Sequence, residues 1–222
     1  MTRTIVAVLL VVVPVLFTLF YGLLAKAFSY PGILREPAVE VLERFAAGGT
    51  RLRLLWWAFA MSALAFVPIA VGLGSLLGTG TLASATVTVG ALAALVQVLG
   101  LIRWPFLVPL LARERERSPQ TVDLLFDVVN RYLGVAVGEH LGYLLTGSWT
   151  ILVSVSLLGT GMLPAWFAVV GIVVGTALLF GALEFVGPVE EKGWALAGTV
   201  VAISYTAWAL WLIAGGVLLL VL

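Results

Sequence analysis

The stretch Leu54–Ile102, LLWWAFAMSALAFVPIAVGLGSLLGTGTLASATVTVGALAALVQVLGLI, contains no charged residue. One helical crossing of the hydrocarbon core of a bilayer takes roughly 20 apolar residues, so this stretch is long enough to cross twice. Three further stretches are also uncharged, and Leu141–Leu183 is again long enough for two crossings, whereas Thr4–Ala25 and Gly193–Leu222 suit one each. The sequence therefore predicts six transmembrane helices. Their approximate bounds are Thr4–Phe28, Arg53–Leu77, Leu82–Ala112, Thr121–Leu158, Pro164–Gly187 and Gly193–Leu220.

The composition agrees with a membrane protein and excludes several functional classes. The chain is 62% hydrophobic and 10% charged, which is too apolar for a soluble domain with a polar surface. Its net charge of +1, with basic residues scattered among acidic ones, excludes nucleic acid as a partner. There is no cysteine, and His140 is the only histidine, so we expect no metal site and no cofactor. We predict an all-α polytopic membrane protein with one domain over residues 1–222.

The basic residues predict how the chain is oriented in the membrane. The first, third and fifth connections between the predicted helices carry nine Lys and Arg residues, and Arg3 is the only one on the opposite side. Basic loops stay in the cytoplasm. We therefore expect these connections to be cytoplasmic and both termini to be outside. The nine residues are Lys26, Arg35, Arg44, Arg51, Arg53, Arg113, Arg115, Arg117 and Lys192.

The first of these connections has a helical pattern of its own. At about 100° per residue, polar and apolar side chains separate onto two faces between Pro37 and Ala46. The two faces hold Glu36, Glu40, Glu43 and Arg44 on one side, and Val39, Leu42, Phe45 and Ala46 on the other. Pro37 suits a first helical turn, and Gly48-Gly49 ends the pattern. We predict a short amphipathic helix that lies on the inner leaflet, and we favour a structural role for it over a binding role.

Two eight-residue segments match at seven of eight positions. Residues 75–82 read SLLGTGTL and residues 156–163 read SLLGTGML. Both segments fall at turns on the outer side, so the hairpins 54–112 and 121–187 would share one orientation, as in a parallel repeat. The same offset pairs Arg103 with Glu184 at equal depth, where the two could meet as an ion pair. Common ancestry and chance both remain open, because Gly, Leu and Thr are frequent in such turns.

Ionisable residues near the hydrocarbon are costly and often functional, which singles out Arg103, Arg131, Glu139, His140 and Glu184. Counted from the outer turns at 1.5 Å per residue, Arg103 and Glu184 lie roughly 34 Å deep and Glu139 about 30 Å deep, close to the full hydrocarbon thickness. We therefore expect a polar layer at the cytoplasmic interface rather than charges at the midplane.

The fourth predicted helix carries two stripes. Gly134, Gly138 and Gly142 recur at every fourth residue and predict a smooth surface for close helix packing. A polar stripe beside it contains Glu139, Tyr143, Thr146 and Thr150.

Two interpretations of these polar residues remain open. In the first, Glu139 and His140 are an acid and a base, or part of a ligand site, with Arg103, Tyr143 and Glu184 as further ligand-binding candidates. In the second, which we favour, Glu139 is the counter-ion of Arg103 or Arg131, and His140 is an interfacial side chain with one hydrogen-bonded nitrogen.

Two segments carry a family resemblance. The sequences REPAVEVLERFAAGGTRLR at 35–53 and NRYLGVAVGEHLGYLLTGSWT at 130–150 resemble segments of a bacterial family of small multi-helix membrane proteins known only as a domain of unknown function. The resemblance covers most of the chain. It implies a six-helix fold and residence in the bacterial cytoplasmic membrane, and it supplies no catalytic residues.

These observations lead to three hypotheses of function. The leading one is a non-enzymatic membrane protein that works through helix packing, lipid contact or a small-molecule pocket at its inner face, with membrane lipids and a small apolar or amphipathic ligand as partners. The alternative is an intramembrane enzyme that acts on a lipid or isoprenoid head group, which requires Glu139 and His140 to converge on one cavity. Transport of a small solute is third, because midplane charges and broken helix pairs are missing from the sequence.

Overall fold

The computed structural model describes residues 2–189 and 192–222, and within them every regular element is a helix. Two short 3₁₀ turns, Gly32–Arg35 and Gly187–Val189, and a π-helical segment, Asn130–Leu141, accompany the α-helices. This confirms the predicted all-α fold. The α-helices of the described residues are α1 Arg3–Phe28, α2 Ala38–Leu64, α3 Phe66–Leu76, α4 Thr81–Phe106, α5 Val108–Glu114, α6 Pro119–Val129, α7 Gly142–Thr160, α8 Ala165–Gly181 and α9 Ala195–Val221.

Five helical stretches of the described chain are long and apolar enough to cross a membrane. The sixth crossing helix is α8, which is apolar but has only 17 residues. It ends at Gly181 rather than at the predicted Gly187. Large apolar side chains point outward along the bundle, among them Ile203 (66% exposed) and Val173 (63% exposed). Such a surface is stable in lipid and not in water, so the protein is a polytopic membrane protein, as predicted. The five long stretches are Arg3–Phe28, Ala38–Leu76, Thr81–Glu114, Pro119–Thr160 and Ala195–Val221.

Six of these helices form a closed ring in which each packs on two neighbours. The order around the ring is α1, α2, α4, α7, α8 and α9, and α9 packs again on α1. The helix α3 continues α2 and lies against α1 and α4. We call the end of the bundle that holds the α1–α2, α5–α6 and α8–α9 connections the basic end. The other end, with the short turns after α3 and α7, is the turn end.

Aromatic side chains fill the ring in two clusters. At the basic end, Trp56 and Trp104 stack with ring centroids 4.5 Å apart and planes 9° from parallel. Towards the turn end, Phe167 and Trp211 stack in the same way, at 4.9 Å and 8°. Each cluster closes the interior with rings that pack at near-ideal stacking distances.

The short helix predicted in the first connection is the first part of α2. Gly49 has φ 56° and ψ −147°, so α2 breaks there, at the predicted glycine pair. Leu42 and Phe45, on the predicted apolar face, are buried. They do not lie against lipid, however, because Phe45 packs on Phe28 and Trp104 in the aromatic cluster of the basic end. The helix is therefore a cover for the core.

The π-helical segment joins α6 to α7 and carries two glycines of the stripe, Gly134 and Gly138, while the third, Gly142, begins α7. A Cβ atom on Gly100 of α4 would lie 2.7 Å from the Cα of Gly138, so the two backbones are in contact. A Cβ on Gly142 would lie 3.5 Å from Gln97, also of α4. The stripe thus packs on α4, as the four-residue spacing predicted. Helical turns with i→i+5 hydrogen bonds are rare in proteins, and those that occur often lie near functional sites.

Candidate functional site

Arg103 is held on α4 by groups that the sequence did not mark as its partners. Its side chain is only 7% exposed. One guanidinium nitrogen donates to the carbonyl of Gly100, and the other donates to Oδ1 of Asn130 at 2.8 Å. A Cβ on Gly134 would lie 2.6 Å from this second nitrogen, so the missing side chain of Gly134 makes room for the guanidinium. The arginine therefore ties α4 to the π-helical segment.

Glu139 lies in a polar region close to Arg103 but does not form a contact ion pair with it. The carboxylate interacts through space with Glu184, Arg103 and Arg35. Among the described residues, no ion pair within 4.0 Å and no hydrogen bond joins Glu139 to Arg103, whose donors point to Gly100 and Asn130. Arg103 therefore acts on the Glu139 carboxylate through space and not as a contact ion pair.

Glu184 also differs from the expected ion pair with Arg103. Because α8 ends at Gly181, Glu184 lies in the turn after the helix, 8% exposed, with its carboxylate against the first turn of α9. A Cβ on Gly198 would lie 2.7 Å from its Oε1 atom. Its ionic partner is Arg35, at 3.9 Å. Burial raises the pKa of the Glu184 carboxyl, and Arg35 opposes this.

The predicted polar stripe continues along α7 as a set of hydrogen bonds between helices. Thr146 and Thr150 are fully buried. Gln97 of α4 donates to the Thr146 hydroxyl oxygen at 3.1 Å, and the indole of Trp208 in α9 donates to that of Thr150 at 2.9 Å. Buried hydroxyls need such partners. The stripe thus links α7 to both α4 and α9 through polar contacts.

Tyrosines from three parts of the chain interact electrostatically with Glu139. The rings of Tyr143 and Tyr205 are 5.5 Å apart and meet edge to face. Burial, and then the charge of Glu139, raises the pKa of the Tyr30 hydroxyl. Tyr143 was a predicted ligand-binding candidate, whereas Tyr30 and Tyr205 come from distant parts of the sequence with no motif that marks them.

The side chain of His140 contacts a different part of the chain from the side chain of Glu139. Its Nδ1 atom lies 2.6 Å from the carbonyl oxygen of Ala182. A carbonyl can only accept, so Nδ1 is the donor in this hydrogen bond. The hydrogen bond fixes the ring against the turn that follows α8. One ring nitrogen of His140 is therefore hydrogen-bonded, as the second interpretation requires.

A groove of about 620 Å³ opens beside His140. It runs between the outer side of the π-helical segment, with the end of α6, and the turn after α8. The guanidinium of Arg131 lies on its Phe185 wall, 5.8 Å from the ring centroid. The lining residues are Asp127, Val128, Arg131, Tyr132, Val135, Ala136, His140, Phe185 and Val186.

The sequence-derived candidates therefore fall into two places. Glu139, Arg103, Glu184 and Tyr143 surround the polar region inside the bundle, and His140 lines the groove, to which Glu139 does not contribute. The groove was missed by sequence reasoning because Phe185 and Val186 look like ordinary helix residues. Within residues 2–189 and 192–222, no group of three side chains suited to a metal ion is present.

The chain belongs to the family described as a domain of unknown function (DUF4386), whose model matches residues 5–216. This confirms the resemblance to a family of unknown function. No curated protein and no solved structure matches the chain.

Proposed function

We propose that the protein is a non-enzymatic membrane protein that binds a phospholipid in the groove beside His140. One observation carries this proposal: the groove is apolar along Val135, Ala136 and Val186 and carries charged side chains at Asp127 and Arg131. An amphipathic molecule matches such a surface, because its chains contact the apolar wall and its head group contacts the charges. The volume of about 620 Å³ is large enough to hold part of an amphipathic lipid.

The surroundings of the groove favour an occupant that enters from the membrane. Leu124, Val128 and Tyr132 project outward beside it and are 64%, 55% and 66% exposed. Contiguous exposed apolar side chains are stable only against lipid or another apolar partner. These side chains therefore favour an amphipathic occupant that approaches from the basic-end leaflet over a water-soluble one.

Two features make the alternative functions less attractive. Acid–base catalysis requires both groups to reach one substrate, and Glu139 faces the interior polar region while His140 lines the groove. A path for a solute through the ring would have to pass between tightly packed rings such as Trp149, Trp208 and Trp211. Both observations support binding over turnover or transport.

We also propose that the protein resides in the bacterial cytoplasmic membrane, with its basic end in the cytoplasm and both termini outside. The excess of nine basic residues over one supports this orientation. Reporter fusions after residue 118 and after residue 222 test it. We expect a cytoplasmic signal from the first fusion only, and a cytoplasmic signal from the second would overturn the orientation.

Native mass spectrometry of gently purified protein tests the lipid-binding proposal. Ala136→Trp places an indole in the groove, and Ala202→Trp places the same group on an exposed position of α9 away from it. We expect the native chain and Ala202→Trp to retain phospholipid and Ala136→Trp to lose most of it, at similar melting temperatures. A folded Ala136→Trp protein that retains as much phospholipid as Ala202→Trp would contradict the proposal.

A further inference from the structure

The Glu139 carboxylate has no partner in direct contact. Among residues 2–189 and 192–222, it forms no hydrogen bond and no contact ion pair. Two arginines act on it through space, but Arg103 directs its donors to Gly100 and Asn130, and Arg35 pairs with another carboxylate. Burying an ionised carboxylate is costly unless a cation or a donor accompanies it. The position beside this carboxylate therefore suits a positive charge from outside the chain.

The polar atoms around Glu139 border open space. Within the described chain, the only side-chain nitrogen or oxygen atoms that are fully buried without a hydrogen bond are the indole nitrogens of Trp56 and Trp149. The carboxylate of Glu139 and the hydroxyls of Tyr30 and Tyr143 have no hydrogen bond either, yet they are not among these buried atoms. All three residues are half-buried. Each polar group therefore keeps surface that a small molecule can reach.

Tyrosine rings accompany the carboxylate. Tyr30, Tyr143 and Tyr205 interact electrostatically with Glu139 and with one another. Tyr143 and Tyr205 meet edge to face at 5.5 Å, and both are half-buried, so part of each ring stays open. The hydroxyl of Tyr205 is hydrogen-bonded to Thr146, which holds this ring in place. The face of an aromatic ring attracts a cation, and several such rings together recognise organic ammonium groups.

We propose that this region inside the bundle binds a small organic ammonium cation, with its charge at the Glu139 carboxylate and its carbon atoms against the rings of Tyr143 and Tyr205. The site is separate from the groove beside His140, and its ligand is a second one beyond the proposed lipid. Aromatic rings and one carboxylate suit an organic cation better than a metal ion, which prefers several oxygen ligands at once.

The basic end provides the approach to this site. Glu139 interacts through space with Arg35 and Glu184, which form an ion pair at 3.9 Å. The side chain of Arg35 is 80% exposed and that of Glu184 is 11% exposed, so the pair leads from the surface to the interior. Towards the turn end, the stacked rings of Phe167 and Trp211 close the bundle. A ligand therefore enters and leaves on the same side, which is binding rather than passage.

Isothermal titration calorimetry of the protein in an uncharged detergent tests the proposal with two probes of the same shape. Choline carries a quaternary ammonium, whereas 3,3-dimethylbutanol has a carbon atom in place of the nitrogen and no charge. We expect choline to bind saturably and about five- to thirtyfold more tightly than the neutral probe. Equal binding of the two probes, or no saturable binding of choline, would overturn the proposal.

Variants locate the bound cation. Glu139→Gln removes the charge with little change in volume and should weaken choline binding by about tenfold or more. Tyr143→Phe keeps the aromatic ring, so it should bind choline about fivefold more tightly than Tyr143→Leu does. The matched control Glu116→Gln removes an exposed carboxylate far from these rings in the loop after α5 and should leave choline binding unchanged.

The outcomes separate this site from the groove. A folded Glu139→Gln protein that binds choline as the native chain does would contradict the interior site. If Ala136→Trp abolishes choline binding as well as lipid retention, the cation lies in the groove and the inference is wrong. If Ala136→Trp loses lipid but binds choline normally, the two sites are distinct, as proposed. Should Glu139→Gln fail to fold, the two probes on the native chain and the ratio between Tyr143→Phe and Tyr143→Leu decide.

Discussion

Two turns with the same sequence have different structures. In the first SLLGTG segment, α3 ends at Leu76, and Gly78 and Gly80 follow with φ of 108° and 118°. In the second, α7 continues through Gly159 to Thr160, and the chain turns at Gly161 with φ 63°. Identical residues therefore end one helix early and extend the other.

The residues that follow SLLGTG in each hairpin explain the difference. After the first segment, α4 begins at once at Thr81, whereas Pro164 with ψ 139° delays α8 until Ala165. The core also selects a different leucine, since Leu77 is 8% exposed but its counterpart Leu158 is 46% exposed. The local sequence favours a turn in both segments, and the packing of the surrounding side chains determines at which residue the turn forms.

The largest expected effect concerns how closely each hairpin packs. In the second hairpin a Cβ on Gly175 would lie 2.7 Å from the Gly147 carbonyl, so α7 and α8 meet backbone to backbone. The equivalent positions of the first hairpin are Phe66 and Ala94. Gly175→Val should destabilise the protein by about 3 kcal/mol, because neither backbone can move away. Thermal unfolding in detergent measures this, with the exposed Gly22→Val as control; equal melting temperatures would contradict the packing.

Arg103 and Glu184, the charges of the two hairpins at the basic end, should act independently. Arg103→Ala leaves Asn130 without its donor and should cost about 2 kcal/mol, and Glu184→Ala should cost less because its pair with Arg35 is half open to solvent. Their effects should add, and exchanging the two residues should recover nothing. Melting temperatures of both single variants, the double variant and the exchange decide this. Recovery in the exchanged protein would show that the two charges do meet.

Alanine at equivalent turn glycines should have opposite effects. Gly78→Ala forces an L side chain to φ 108° and should destabilise by about 1–2 kcal/mol. Gly159→Ala lies in a helix with open space around it and should stabilise by about 0.5–1 kcal/mol. The same unfolding assay compares them. Shifts of the same sign at both positions would mean that the two turns share one conformation.

The smallest expected effect is a change in how the stability of the protein depends on pH. Burial raises the pKa of Glu184 in the folded state, so the folded chain binds this proton more tightly than the unfolded chain does. The resulting stability is present at low pH and is lost as the pH rises through the folded-state pKa. Between about pH 7 and pH 5, Glu184→Gln should therefore show a smaller gain in melting temperature than the native chain. The exposed Glu36→Gln is the control, and identical pH profiles for Glu184→Gln and the native chain would count against burial of this carboxyl.

The membrane spans could be predicted because burying a charge in lipid is costly. Stretches without charged residues, such as Leu54–Ile102, therefore indicate membrane helices directly. The break at Gly49 could be predicted for a similarly local reason, since glycine accepts a positive φ. The partner of Arg103 could not, because Asn130 carries no charge and lies on another helix. The end of α8 at Gly181 could not be predicted either, because the residues that follow it are also apolar.

The divergence of Glu139 and His140 has the same origin. An α-helix would separate the two neighbouring side chains by about 100°, but they lie in a π-helical segment whose turns are wider. Which of them faces the groove depends on that winding and on Ala182, Phe185 and Val186 from a distant part of the chain. Only the assembled bundle defines the site.

The π-helical segment also determines where the chain tolerates a change in length. Removing one residue from a tightly packed α-helix such as α4 rotates everything beyond it by about 100° and misaligns the bundle. Within Asn130–Leu141, each wide turn holds more residues than an α-turn needs, so a deletion can be absorbed by rewinding to α geometry while α7 keeps its register. Single-residue deletions should therefore survive here, at the wall of the groove, and reshape the groove without unfolding the protein.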